Sequence, residues 1–94
     1  MSIPKKRTDN NQAAIVAELR ALGCSVAVLS GLGGGVPDLL IGFRGVNYLL
    51  EVKNLEGRGD KLTPAESAFF DSWAGQVEVI RDSDEAKKAV KLTG

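Results

Sequence analysis

The stretch GVPDLLIGFRGVNYLLEVK, Gly35 to Lys53, decides the fold. It holds two apolar runs, DLLIGF and VNYLLEVK, separated by Arg44 and Gly45. That is the spacing of a tight hairpin, so the runs are expected to pair as antiparallel strands. Each run nevertheless carries ionised groups at its edge. A charge at the end of a core strand costs on the order of several kcal/mol to desolvate unless a partner compensates it, so Asp38, Glu51 and Lys53 together mark a candidate site. Alternate strand residues share a face, which sends Glu51 and Lys53 one way and Leu50 and Val52 the other. The hairpin returns Pro37-Asp38 to the neighbourhood of Glu51-Val52-Lys53, so two carboxylates and an ammonium converge at one end of the sheet. Facing carboxylates repel unless a shared proton or a cation lies between them. A divalent cation would resolve that repulsion, with the Val52 carbonyl as a further oxygen ligand. The plainer alternative makes Asp38 a turn cap and Glu51–Lys53 a solvated surface pair, which contributes little.

Working outward, Ile15, Val16, Leu19 and Leu22 follow helical spacing over Thr8 to Leu22, with Thr8 as N-cap and Gly23 as the stop. SVAVLS, from Ser25 to Ser30, reads as a short strand before GLGGG breaks the chain. The glycines lack the rest of a dinucleotide or Walker loop: Val36 stands where GxGxxG needs its last glycine, a strand follows rather than a helix, and no Gly-Lys-Ser/Thr is present. No nucleotide cofactor is expected, and the turn is read as flexible or as a close approach to a ligand backbone. Beyond the hairpin, NLEGRGDKL is a polar loop. TPAE then announces a second helix, with Thr63 as N-cap, Pro64 at the first position and Glu66 closing a capping box. That helix runs to about Ala74 and presents Ala65, Phe69, Ser72 and Trp73 on one side, with Phe70 widening the stripe. QVEVIR is a fourth strand and DSDEAKKAVKL a last helix, acidic at its start and basic at its end as the helix dipole prefers. The expected order is αβββαβα, an α/β fold with a mixed β-sheet flanked by helices.

With 94 residues, 44% hydrophobic and 26% charged, the chain reads as one globular domain spanning 1–94, of which 1–7 form a flexible basic arm. No apolar run approaches the roughly 20 residues of a membrane span, and no apolar region follows the basic start as in a secretion signal. A cytoplasmic location is expected. The single cysteine, Cys24, and the absence of histidine exclude an internal disulfide, His-based triads and nearly every zinc arrangement. Any metal would be a hard cation bound by oxygen. Twelve Lys/Arg balance twelve Asp/Glu, so bulk charge argues for neither nucleic acid nor membrane. The distribution says more. Lys5, Lys6 and Arg7 in the arm, with Arg58 and Lys61 in the loop after the hairpin, are candidate phosphate contacts. Lys87, Lys88 and Lys91 either touch phosphates too or satisfy the dipole of the last helix.

Pro37-Asp38, a hairpin strand and then Glu51-Val52-Lys53 resemble the PD-(D/E)xK nuclease signature. The Gly-rich turn before them and LTPAE after them resemble the stand-alone VRR-NUC branch of that superfamily, found in phages and bacteria, over roughly Asn11 to Val90. The resemblance implies a restriction-endonuclease-like fold and Mg²⁺- or Mn²⁺-dependent hydrolysis of DNA, in the host's cytoplasm were the chain phage-encoded. It implies Asp38, Glu51 and the Val52 carbonyl as metal ligands, and Lys53 orienting water and steadying transition-state charge. Two departures stand out. Where the family carries an acidic residue on the first helix, this chain reads TDNNQ, so that Asp9 or Gln12 takes the place; Gln12 is the candidate carried forward, and Glu18 points away from that face. Glu66 stands where the family often has Gln, and its capping role accounts for it. A single site on a small domain can nick one strand only, and a homodimer would match the two-fold symmetry of a four-way (Holliday) junction, the substrate that the branch's layout favours. A non-catalytic nucleic-acid-binding subunit and a general flap or fork nuclease are the alternatives.

Overall fold

The structure, a computed structural model, describes residues 7–53 and 61–92, with residues 7–10 described by their backbone. The elements are α1 (Arg7–Ala21), β1 (Ser25–Val28), a 3₁₀ turn (Ser30–Leu32), β2 (Leu39–Phe43), β3 (Val46–Val52), α2 (Pro64–Ser72), β4 (Glu78–Ile80) and α3 (Ser83–Ala89). This is the expected αβββαβα order. The strands form one sheet in the order β1-β2-β3-β4; the first two pairings are antiparallel and β3–β4 is parallel. A parallel pair needs a long crossover, and α2 is carried in it.

The hairpin closes with Phe43 opposite Val46 around Arg44 and Gly45, whose φ values of 55° and 82° are those of the two-residue turn that matches strand twist. Its register pairs Leu39 with Leu50 and Ile41 with Tyr48, so one face of the sheet is apolar. Leu39, Ile41, Leu50 and Ile80 are fully buried there against Ile15, Val16 and Leu19 of α1 and Ala86, Ala89 and Val90 at α3. Helix α1 begins at Arg7, which places Thr8 inside the helix instead of at its cap; arginine is the better helix former, and the first turn extends through it. The stop is the expected one. Gly23 (φ 99°) lets its N–H reach Arg20 O at 3.1 Å and the Cys24 N–H reach Leu19 O at 3.0 Å, and the buried Cys24 and Leu19 complete the cap. Lys87 Nζ bridges to Glu18 Oε2 at 2.6 Å, tying α3 to α1, so Lys87 serves the fold and Glu18 lies away from the site.

Helix α2 differs most from expectation. Its capping box is present, but it ends at Ser72, whose hydroxyl donates back to Ala68 O at 3.0 Å, and none of its residues is buried. The core face is already occupied by α1 and α3, leaving α2 the opposite face, where Leu40, Asn47, Leu49, Trp73 and Gln76 line an open pocket. Phe69 and Trp73 stack on each other with ring centroids 4.9 Å apart, and Trp73 remains 45% exposed. Gln76, in the connection from α2 to β4, is bonded to the sheet: its side-chain oxygen accepts from Leu49 N at 2.7 Å and its amide nitrogen donates to Leu49 O at 3.2 Å, extending the ladder beyond β4. The Gly-rich turn has a structural use. A Cβ on Gly35 (φ 81°) would lie 2.3 Å from the Ala65 carbonyl oxygen, so the backbone it approaches closely is the start of α2. Among the described residues no helix is long and apolar enough to cross a membrane. Lys5, Lys6 and Arg58 lie outside the described residues, Arg7 is described by its backbone alone, and Lys61 is exposed before α2.

Candidate active site

Continuing the β2–β3 register one step past Leu39 and Leu50 brings Asp38 opposite Glu51, on the face away from the core. The Leu29 N–H to Asp38 O bond of 2.7 Å extends the β1–β2 ladder to the same level, so the Asp38 backbone is held from one side. Its side chain is held from the other. Asp38 Oδ2 accepts from Val52 N at 2.9 Å, and Oδ1 accepts from the Ser30 hydroxyl at 3.2 Å. Ser30 in turn accepts from Gln12 Nε2 at 3.0 Å. The N–H and C=O of a strand residue leave on the same edge, so the Val52 carbonyl also faces the side where Asp38 lies. Asn11, next to Gln12 on α1, clamps the ends of both parallel strands, its Nδ2 donating to Lys53 O and to Arg81 O at 3.2 Å each.

Glu51 is the anomaly of this arrangement. It is 3% exposed, and its Oε1 is a buried oxygen with no hydrogen-bond partner among the described residues. Burial first, then the charge of Asp38, then a hydrogen bond with the Glu66 carboxylate and its charge, push the Glu51 carboxyl up to about 8, against a smaller downward pull from Lys53. Lys53 Nζ stands 3.4 Å from Glu51 Oε2 and 2.7 Å from Glu66 Oε1, with its side chain 11% exposed. Burial depresses the Lys53 ammonium, but the Glu66 hydrogen bond and the Glu51 charge outweigh it and raise the pKa. Glu66 is itself lowered: burial raises it, but the bonds from Lys53 and from the Thr63 N–H prevail. The surface-pair alternative for Glu51 and Lys53 does not describe this geometry. Nor does capping alone account for Glu66, whose Oε1 takes both the Thr63 N–H at 2.9 Å and the Lys53 ammonium.

The donor set fits a hard cation. The Glu51 carboxyl stands opposite Asp38 in the register with one oxygen unpartnered among the described residues, a pair that a divalent cation would stabilise, and the Val52 carbonyl adds a neutral oxygen. Among the described residues no group of three or more His, Cys, Asp or Glu side chains could hold a metal, so such an ion would keep water or substrate oxygens in its remaining positions. Of the candidates, Asp38, Glu51, Val52 and Lys53 are brought together directly, while Gln12 reaches Asp38 only through Ser30. Ser30, Asn11 and Glu66 escaped the sequence reading as site neighbours. Ser30 becomes one only through the β1–β2 register, whereas the capping-box spacing already placed Glu66 beside the chain leaving β3.

Comparison with models of known protein families gives no match, and no curated protein matches the chain. A solved structure described as a VRR_NUC domain superposes with a TM-score of 0.60 at 25% identity, covering 93% of this chain and 97% of that one. The PD and ExK positions at one end of a mixed sheet, the αβββαβα order and this likeness along nearly the whole chain give the protein the fold of a VRR-NUC domain, a nuclease-type domain of PD-(D/E)xK layout.

Proposed function

We propose that the chain is a metal-dependent endodeoxyribonuclease that resolves four-way DNA junctions as a homodimer in the cytoplasm. The observation that carries the hydrolytic reading is the Glu51 carboxylate, buried across from Asp38 with one oxygen unpartnered among the described residues. Mg²⁺ or Mn²⁺ held by Asp38, Glu51 and the Val52 carbonyl would neutralise charge on a phosphate oxygen and lower the pKa of an attacking water. To serve as a ligand Glu51 would have to be ionised, its proton going to solvent. Ser30 and the Val52 N–H keep Asp38 turned toward Glu51. With its pKa raised, Lys53 stays an ammonium and is no general base; steadied by Glu66, it orients the water and donates to the oxyanion that develops on phosphorus. The cations Lys5, Lys6, Arg7, Arg58 and Lys61 supply contacts to phosphates along the DNA.

Support for the dimer comes from α2. It buries none of its own residues and leaves Trp73 exposed on the face of the sheet that carries Glu51, where a second copy related by a two-fold axis would cover it. The test is cleavage of a cruciform plasmid in Mg²⁺ and in EDTA, with the mass in solution measured alongside. Linear product from a dimer supports junction resolution. Nicked circles from a monomer reduce the reading to a general structure-selective nuclease, and DNA binding without turnover in either Mg²⁺ or Mn²⁺ makes the chain a binding subunit.

A further inference from the structure

We propose that Ser30 is a positioning residue for Asp38, the link through which α1 sets the orientation of that carboxylate. The inference rests on the reading above in so far as Asp38 holds a cation; the hydrogen-bond chain itself does not depend on it.

A serine hydroxyl has one proton and can donate only once. Ser30 Oγ lies 3.0 Å from Gln12 Nε2, which can only donate, and 3.2 Å from Asp38 Oδ1, which as a carboxylate oxygen can only accept. Gln12 Oε1, at 3.3 Å, is the weaker competitor for the proton, being neutral. The chain is therefore polarised in one direction: the Gln12 amide donates to Ser30, and the Ser30 hydroxyl donates to Asp38. With Val52 N on the other oxygen, each carboxylate oxygen of Asp38 keeps one oriented bond and has lone pairs to spare toward Glu51. The placement of Ser30 does not depend on its hydroxyl. Its neighbour Leu29 is bonded through N–H to Asp38 O at 2.7 Å, and the Leu32 N–H to Leu29 O bond of 3.0 Å closes the 3₁₀ turn that starts at Ser30. Removing the hydroxyl should thus free the carboxylate without moving the turn. The glutamine on α1 is bonded to the site through this serine.

Two measurements decide it. In metal-free protein the Val52 amide proton reports on Asp38 directly, so Ser30→Ala should move that amide resonance in a ¹⁵N–¹H spectrum and speed its exchange, while Ser30→Thr, which keeps a hydroxyl, restores both. In a Mn²⁺ titration by calorimetry, Ser30→Ala should weaken binding about tenfold. Ser30→Thr should stay within about threefold of the unaltered protein, and adding Gln12→Ala to Ser30→Ala should cost nothing more, because both act through one chain. A melting temperature within about 2 °C of the parent shows that the turn is intact. An undisturbed Val52 amide in Ser30→Ala overturns the proposal, and so do additive losses from Gln12→Ala and Ser30→Ala. Should the unaltered protein take up no Mn²⁺, the metal reading of Asp38 and Glu51 fails, while the Val52 amide still decides the role of Ser30.

Discussion

Leu50 and Glu51 are consecutive on β3, both are buried, and they point to opposite faces of the same sheet. Leu50 is surrounded by Leu39, Ile41 and Ile80 beneath α1 and α3, so its burial removes apolar surface from water at no polar cost. Glu51 is as inaccessible, but it carries a carboxylate with a bare oxygen, a like-charged neighbour across the strand and a shared lysine. One face holds the fold together; the other spends part of that stability to hold ionisable groups where water would otherwise screen them.

The largest expected effects separate those two roles. Glu51→Gln and Asp38→Ala should each lower turnover roughly 10³-fold or more; in EDTA Glu51→Gln should leave the melting temperature unchanged or raised, because a buried repulsion is relieved, whereas Asp38→Ala should cost about 1–3 kcal/mol, because the Val52 N–H loses its acceptor. Leu50→Ala should do the reverse, costing about 2–5 kcal/mol and more than about 10 °C of melting temperature, with activity following the folded fraction. Equal losses of stability at both positions would erase the contrast and return Glu51 to a structural role.

A smaller effect concerns pH. The folded Glu51 carboxyl lies at about 8 and its unperturbed value is 4.5, so between these the folded protein binds more protons than the unfolded chain, and stability must fall as pH rises. Its contribution is complete below about 4.5 and gone above about 8. In EDTA, chemical denaturation at pH 5 and at pH 8.5 should differ by roughly 2–4 kcal/mol in that direction, less than the full shift implies because the Lys53 and Glu66 charges respond to the same proton. Glu51→Gln should flatten the slope, and a wild-type profile already flat across this range would show that the carboxylate is ionised without a cation.

The last effect probes how the site face is joined to α2. Gly35→Ala places a methyl 2.3 Å from the Ala65 carbonyl on a backbone with φ 81°, so it should cost about 1–2 kcal/mol for the backbone conformation, more for the overlap, and displace the helix end that carries Glu66. Turnover should fall more than the folded fraction does, since Lys53 loses the partner that steadies it. Thermal melts paired with cleavage rates measure this; a variant with full activity would mean that the seat of α2 does not matter to the lysine.

Much of this was legible in the order of residues. The hairpin around Arg44-Gly45, the capping box at Thr63 and Glu66 and the stop at Gly23 are local signals with local causes, so they survive folding intact. The alternation that set Glu51 and Lys53 on the face opposite Leu50 is likewise a property of any extended strand. What was not legible depended on which face each helix would cover. The stripe Ala65, Phe69, Trp73 looked like a core stripe because its spacing is that of one, yet the core face of the sheet could take only α1 and α3, and α2 was left with an open surface.

The sequence by itself determined the strand pairing, the element order and the convergence of Asp38, Glu51 and Lys53, because turn chemistry and the two-residue period of a strand act over a few neighbouring positions. Only the tertiary structure decided that Glu51 is desolvated while Asp38 is held by Ser30, that Gln12 reaches the site through an intermediary, and that Glu66 serves both the end of a helix and a lysine. Those outcomes depend on the register of β1 against β2 and on the seating of α2 over Gly35, contacts between segments far apart in the chain whose energies exist only once the sheet is assembled.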